Sequence, residues 1–161
     1  MAAGKYPSCL LGSRACRTGW LRTVIFLLSV ALALNLGLLL DMDRMNEAAA
    51  ALLEYDDFTS FAKLNSNNKT NICRIMHAAW TADERGVLCF TIRADRFLRN
   101  MVRSLVGTLV DVGRGRYTPD GFREIVGSRD LSRSSGGAPA QGLFLSDVVY
   151  PPGVFERKMF Y

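Results

Sequence analysis

The stretch at 97–116, FLRNMVRSLVGTLVDVGRGR, constrains the fold more than any other part of the sequence. Its apolar residues recur at spacings of three and four, which is typical of a buried α-helix. These residues are Phe97, Leu98, Met101, Val102, Leu105, Val106, Leu109 and Val110. The stretch contains no proline, and glycines at 113 and 115 mark its end. The pattern therefore predicts a core helix over 97–116.

Arg103 is the unusual residue of this stretch, because it lies in the middle of the apolar pattern. A buried charge without a partner is strongly unfavourable, so its guanidinium must reach solvent or meet a carboxylate or phosphate. Arg96 and Arg99 precede it at helical spacing, which predicts that the three share one helix face. Such a stripe, extended by Lys63, can hold phosphates through charge-assisted contacts. The alternative is a solvated helix edge.

Composition and cysteine spacing narrow the classes of function. The sequence has 20 Lys and Arg against 15 Asp and Glu, a net charge of +5, which permits an anionic partner without requiring one. No CxxC pair occurs and there is a single histidine, His77, so no zinc site is predicted. Cys73 and Cys89 are interpreted as reduced core residues, which suits the cytoplasm. His77 is interpreted as a packed strand residue.

Residues 1–40 differ from the rest of the chain. Basic residues precede an apolar run over 24–40, which predicts an N-terminal apolar helix. A span needs about 20 helical residues, so this run is marginal for crossing a membrane. Three interpretations stay open: a signal anchor with its N-terminus in the cytoplasm, a signal peptide, or a segment that is not native to the rest of the chain.

The remaining pattern predicts a small mixed architecture. The predicted elements are a helix over 41–54, strands over 72–81 and 87–94 joined by a hairpin at 83–86, the helix over 97–116, a short helix over 118–126 and a strand over 142–150. This order favours an α+β fold in which helices pack on one face of a small antiparallel or mixed sheet. The segment 127–141 is rich in Ser, Gly, Ala and Arg, which predicts a long loop that is either functional or disordered.

Four motifs resemble the C-terminal half of the tRNA pseudouridine synthase A family. They are DFTSF at 57–61, FLRNMVR at 97–103, GTLVDVGRG at 107–115 and APAQGLFL at 138–145. They occur in the family's order and at its approximate spacing, over about 41–152. No P-loop, GxSxG or HExxH signature competes with this interpretation.

The resemblance implies a fold, an activity and roles for individual residues. Family members are two-lobed homodimers that convert uridine to pseudouridine in the anticodon stem-loop of tRNA, with no metal and no organic cofactor. An aspartate nucleophile starts the reaction, and an arginine of the C-terminal half pairs with it; motif alignment identifies that arginine as Arg103. Leu143 corresponds to an apolar wall near the target base. Lys63, Arg96 and Arg99 correspond to contacts with the tRNA backbone.

The departure from the family lies in the N-terminal part. The family's catalytic aspartate belongs to an Arg-Thr-Asp-Xaa-Gly-Val-His segment, and this sequence offers only Arg17-Thr18-Gly19. The sequence is therefore interpreted as an unrelated segment over 1–40, a C-terminal lobe over 41–152 and a tail over 153–161, inactive by itself. The alternative is a non-catalytic module that binds RNA or is tethered to a membrane through residues 24–40.

Overall fold

The computed structural model describes residues 21–28, 40–63, 69–84 and 86–150. The elements in chain order are β1 (Leu21–Leu28), α1 (Met42–Ala51), β2 (Ile75–Ala82), β3 (Leu88–Ala94), α2 (Met101–Gly113), α3 (Pro119–Ser128) and β4 (Leu143–Val149). Single turns of 3₁₀-helix occupy Leu52–Glu54, Thr59–Phe61, Leu131–Arg133 and Ala140–Gly142. The four strands form one antiparallel sheet in the order β2-β3-β1-β4. The α+β class with a small antiparallel sheet is therefore confirmed.

The hairpin between β2 and β3 is stabilised by its turn residues. The Asp83 carboxylate accepts a hydrogen bond from the Val87 amide at 2.7 Å, and Gly86 has a φ of 74°. Along β3, Leu88, Phe90 and Ile92 are buried while Cys89 and Thr91 between them are more exposed, so one face of the sheet is covered. Trp80 lies opposite Phe90, with ring centroids 4.9 Å apart.

Strand β2 begins later than the pattern predicts. Ile72 forms an isolated bridge with Asp57, and the Cys73 amide donates to the Asp56 carbonyl oxygen at 2.9 Å. Residues 72 and 73 therefore pair with the segment after α1 instead of extending the sheet. Cys73 is a buried free thiol, and burial, reinforced by the charge of Asp95, raises its pKa to about 12.

Helix α2 is shorter at its N-terminus than the apolar pattern predicts. Asn100 has a φ of 68°, in the left-handed region, and it separates the helix from a turn at 97–100. The prediction that Arg96 and Arg99 share a helix face with Arg103 is therefore wrong, because only Arg103 belongs to α2. The helix ends at Gly113, one of the two glycines predicted to mark its end, and Gly115 follows with a φ of 74°.

The core is built around α2, which is buried along almost its whole length. Met45 of α1 lies against Gly113, where an added Cβ would approach the Met45 sulfur to 2.5 Å. Phe61 and Phe122 pack with their ring centroids 6.2 Å apart. The cap predicted for α3 is present, since the Thr118 hydroxyl oxygen accepts a hydrogen bond from the Gly121 amide. At Gly113, the absence of a side chain therefore lets α1 approach α2 closely.

The apolar N-terminal run does not begin as the predicted helix. Residues 21–28 form β1, which pairs with β3 on one side and β4 on the other. The helix prediction is therefore wrong over 24–28, because two partner strands satisfy this backbone in an extended form. Residues 29–39 of the run and the tail over 153–161 lie outside the described residues. None of the helices within the described ranges has the length and apolarity that a membrane crossing requires.

The segment predicted as a loop at 127–141 is more structured than its composition indicates. It contains the end of α3 and two single 3₁₀ turns. The part between these turns packs along α2: an added Cβ at Gly107 would overlap the carbonyl oxygen of Gly136. The close approach of two backbones therefore requires glycine at position 107.

The substitution Gly107→Ala tests this close approach. A methyl group at 107 must displace the backbone of Gly136, so we expect the free energy of unfolding to fall by about 1–3 kcal/mol in urea denaturation. Gly127→Ala is the matched control, because position 127 lies in α3 with no atom near an added Cβ. There the better helix propensity of alanine should raise stability by up to about 1 kcal/mol. Equal stability of the two variants would contradict the proposed overlap.

His77 gives the fold a pH dependence. It is an exposed residue of β2 opposite Arg93 in the β2–β3 register, and the partial loss of hydration of its ring, together with the Arg93 charge, lowers its pKa below 6.5. The unfolded chain then binds a proton more readily than the folded chain. The contribution of His77 to the free energy of unfolding should therefore be constant above pH 6.5, and it should decrease as the pH falls below 6.5. His77→Gln should flatten the dependence of urea midpoints on pH between about pH 7 and about pH 5.5; an unchanged slope would count against this assignment.

Candidate functional site

A cavity of about 560 Å³ opens at the N-terminal end of α2, beside β4. Its lining combines basic and apolar side chains from three parts of the chain. The lining residues are Lys63, Phe97, Leu98, Arg99, Asn100, Met101, Val102, Arg103, Leu143 and Leu145. Four of the five residues predicted from sequence as site residues therefore meet here, although they come from distant parts of the sequence.

The turn at 97–100 contributes four of the residues that line the cavity. The Lys63 amide donates to the Arg99 carbonyl oxygen at 3.1 Å, which ties the segment after the 3₁₀ turn at Thr59–Phe61 to this turn. Asn100 adopts the left-handed conformation and its side-chain amide donates to the Ser104 hydroxyl at 2.9 Å. The backbone bond between Lys63 and Arg99 explains why these two residues lie side by side in the lining of the cavity.

The apolar wall comes from β4. Leu143 and Leu145 are two residues apart on the strand and therefore share one face. Their side chains are 36% and 63% exposed, so the described part of the chain leaves much of this wall uncovered. Together with Phe97, they provide a surface suited to a flat, weakly polar group.

Arg103 provides the half-buried charge of the cavity. Its Nε donates to the Ala138 carbonyl oxygen at 2.6 Å. Within the described ranges, no carboxylate lies within ion-pair distance of Arg103, in contrast to Arg129, whose Nε is 3.0 Å from Asp57 Oδ2. The Nε bond uses one of the five N–H donors of the guanidinium, which leaves the two terminal amino groups for a ligand or partner.

Arg96 is the predicted site residue that lies apart from the others. Its terminal amino group donates to the Thr70 carbonyl oxygen at 3.3 Å, and it does not line the cavity. Arg114 and Arg116 also lie outside the cavity lining. Both form ion pairs with Asp111 Oδ1 at the end of α2, at 3.3 and 3.1 Å. These arginines therefore add charge to the surface without contributing to the cavity.

The sequence pattern missed three contributors to the site. Leu145 shares a strand face with the predicted Leu143, so strand periodicity alone could have found it. Asn100 is a residue type that tolerates left-handed backbone, which is a weak signal for a turn. The Ala138 carbonyl could not be found, because a backbone atom carries no sequence signature. Across the described segments, no three His, Cys, Asp or Glu side chains come together as metal ligands would.

Comparisons with known proteins agree with the motifs. The family model described as tRNA pseudouridine synthase matches residues 48–151, a range that contains every residue of the cavity. A tRNA pseudouridine synthase A from Bacteroides fragilis is 53% identical over 117 residues, which are 73% of this chain and 46% of that protein. The relative from Bacteroides thetaiotaomicron is 54% identical over 121 residues, 74% of this chain and 45% of that protein. The chain spans about half the length of the curated relatives it matches.

Proposed function

Because the chain belongs to the tRNA pseudouridine synthase family, we propose that it forms the C-terminal lobe of an enzyme that isomerises uridine to pseudouridine in the anticodon stem-loop of tRNA. The observation that carries this proposal is the cavity in which Arg103 meets the apolar wall of Leu143 and Leu145. A charged group beside an apolar surface suits a reaction at a nucleobase. We also propose, from the family resemblance, a cytoplasmic homodimer.

Arg103 is proposed as the ion-pair partner of the nucleophilic aspartate. A guanidinium lowers the pKa of a neighbouring carboxylate, so the acid stays ionised and able to attack. The interaction is stronger in a half-buried cavity than in water, because the effective dielectric is lower. Since the Nε of Arg103 is already bound to Ala138, the terminal amino groups are the ones proposed to hold the carboxylate.

The other residues of the cavity are proposed to hold the substrate. Enzymes that act on a base in a folded nucleic acid extrude it from the stack into a pocket. The wall formed by Leu143 and Leu145 would cover one side of the uracil ring and exclude water from it. Lys63 and Arg99 at the rim would contact neighbouring phosphates, and Arg96 would contact the tRNA backbone outside the cavity.

The role of Arg103 is tested by adding an N-terminal lobe that supplies the catalytic aspartate. The 161-residue chain is produced together with an N-terminal lobe of a relative that carries the Arg-Thr-Asp motif, and pseudouridine in tRNA is measured by mass spectrometry. We expect conversion by the pair and no conversion by the chain alone. Arg103→Ala should reduce the rate at least about 100-fold, the usual cost of losing one preorganised charged donor.

The matched control for this test is Arg44→Ala, which removes an arginine that pairs with Asp41 and does not line the cavity. Its rate should stay within a few-fold of the unsubstituted pair. Full activity of Arg103→Ala, or pseudouridine formation by the chain without a second lobe, would refute the proposed role.

A second candidate function is binding of RNA without catalysis. It is favoured by the three basic residues that line the cavity, with no acidic residue among the described lining residues. Such a module would hold tRNA through phosphate contacts alone, so its affinity would depend on counterion release. It would need no partner lobe.

A salt titration of tRNA binding tests the phosphate contacts that both functions share. In filter binding, the logarithm of affinity should fall with the logarithm of salt by about 0.7–0.9 per contact. Lys63→Ala and Arg99→Ala should each reduce the slope by about one contact. Arg44→Ala is the control, because Arg44 pairs with Asp41 on α1 and should leave the slope unchanged. Absence of binding at low salt would exclude the binding module.

A further inference from the structure

A strap of backbone at 134–138 lies along the face of α2 that carries Arg103. It crosses α2 at Gly107, where the absence of a side chain lets Gly136 approach the helix. An added Cβ at Gly137 would lie 3.6 Å from the Arg103 Cβ and 3.6 Å from the Asn100 side-chain oxygen, which is ordinary contact. The strap is therefore packed against the same turn of α2 that borders the cavity.

Two anchors tie the strap to α2, one on each side of the glycine crossing. At one end, the Ser135 amide donates to the Thr108 hydroxyl oxygen at 3.1 Å. At the other end, the Ala138 amide donates to the Arg103 carbonyl oxygen at 2.9 Å, and the Ala138 carbonyl oxygen accepts from Arg103 Nε at 2.6 Å. Arg103 is thus bonded twice to the residue at the end of the strap.

Thr108 is oriented for this task. Its side chain is fully buried, and its hydroxyl donates to the Ser104 carbonyl oxygen at 2.9 Å. Because the hydroxyl proton is used inside the helix, a lone pair of the same oxygen faces the Ser135 amide. A valine at this position would fill the same space and could not accept that bond.

We propose that Thr108 is a positioning residue for Arg103, acting through the 134–138 strap. Thr108 fixes Ser135, the glycine crossing fixes the middle of the strap, and Ala138 then holds Nε of Arg103 so that its terminal amino groups stay at the cavity. This inference rests on the proposed function for its catalytic meaning. The structural coupling from Thr108 to Arg103 stands on the hydrogen bonds alone.

The coupling has a spectroscopic test that needs no activity. In ¹H–¹⁵N spectra of the full chain, the Nε–H of Arg103 is assigned by its loss in Arg103→Lys. Because this proton is hydrogen-bonded, we expect it to exchange slowly with solvent. Thr108→Val should accelerate its exchange at least about tenfold, since the strap opens more often. The separate substitution Thr108→Ser keeps the hydroxyl, so the Arg103 Nε–H should exchange slowly in that variant.

The control separates positioning from general stability. Thr118→Ala removes the N-cap of α3 and destabilises the fold away from the strap. It should leave the Arg103 Nε–H protected. Slow exchange of this proton in Thr108→Val would overturn the proposal, and so would equal acceleration by Thr118→Ala.

A measurement on the unsubstituted chain tests the proposal even if a variant does not fold. If the strap opens as one unit, the amide protons of Ser135 and Ala138 and the Nε–H of Arg103 should exchange with the same opening free energy. Separate opening free energies would overturn the proposal without any substitution.

The catalytic meaning is tested in the enzyme completed with the second lobe. A misplaced guanidinium impairs the reaction more than the binding of tRNA. Thr108→Val should therefore lower kcat about tenfold with KM within about twofold, and Thr118→Ala should change neither. An inactive unsubstituted pair would refute the proposed function, whereas the exchange experiment would still decide the role of Thr108.

Discussion

The hydrogen bond from Arg103 Nε to the Ala138 carbonyl oxygen determines how a charged residue is accommodated in a buried helix. Without a partner, a guanidinium among apolar side chains would be strongly destabilising. The bond satisfies one edge of the group inside the protein and leaves the other edge to the cavity. The geometry of the candidate site therefore follows from the packing of α2 against the strap, which depends on glycine at 107.

The same packing links the fold to the site. Helix α2 is held between α1, where Gly113 meets Met45, and the strap, where Gly107 meets Gly136. The sheet then brings β4 beside the N-terminal end of α2, so that Leu143 faces the cavity. Neither glycine contact depends on a particular functional group, but both require a short distance between the two elements. Substitutions that only change volume on α2 are therefore expected to alter the position of the Arg103 charge.

The sequence predicts some of these features better than others. Helical periodicity identified α2 and placed Arg103 on it, and four motifs identified the family. The start of α2 was predicted wrongly, because the left-handed backbone of Asn100 interrupts the helix while the apolar spacing continues through Phe97. The residues at 24–28, where the apolar run overlaps β1, were predicted as a helix, because a continuous apolar stretch has no period and only the partner strands decide the form of these residues. The Ala138 contact depends on tertiary packing alone.

Charge pairing elsewhere in the described residues makes the environment of Arg103 distinctive. Arg114 and Arg116 share the Asp111 carboxylate, and Arg129 pairs with Asp57. Among the described residues, the Arg103 side chain is bonded only to a neutral carbonyl, although Arg103 is more buried than Arg129 or Arg116. A neutral acceptor compensates the lost hydration of one N–H and leaves the positive charge in place. An anion that enters the cavity therefore gains a Coulomb interaction that no described carboxylate competes for, and this is the electrostatic condition that an ion pair with a catalytic aspartate requires.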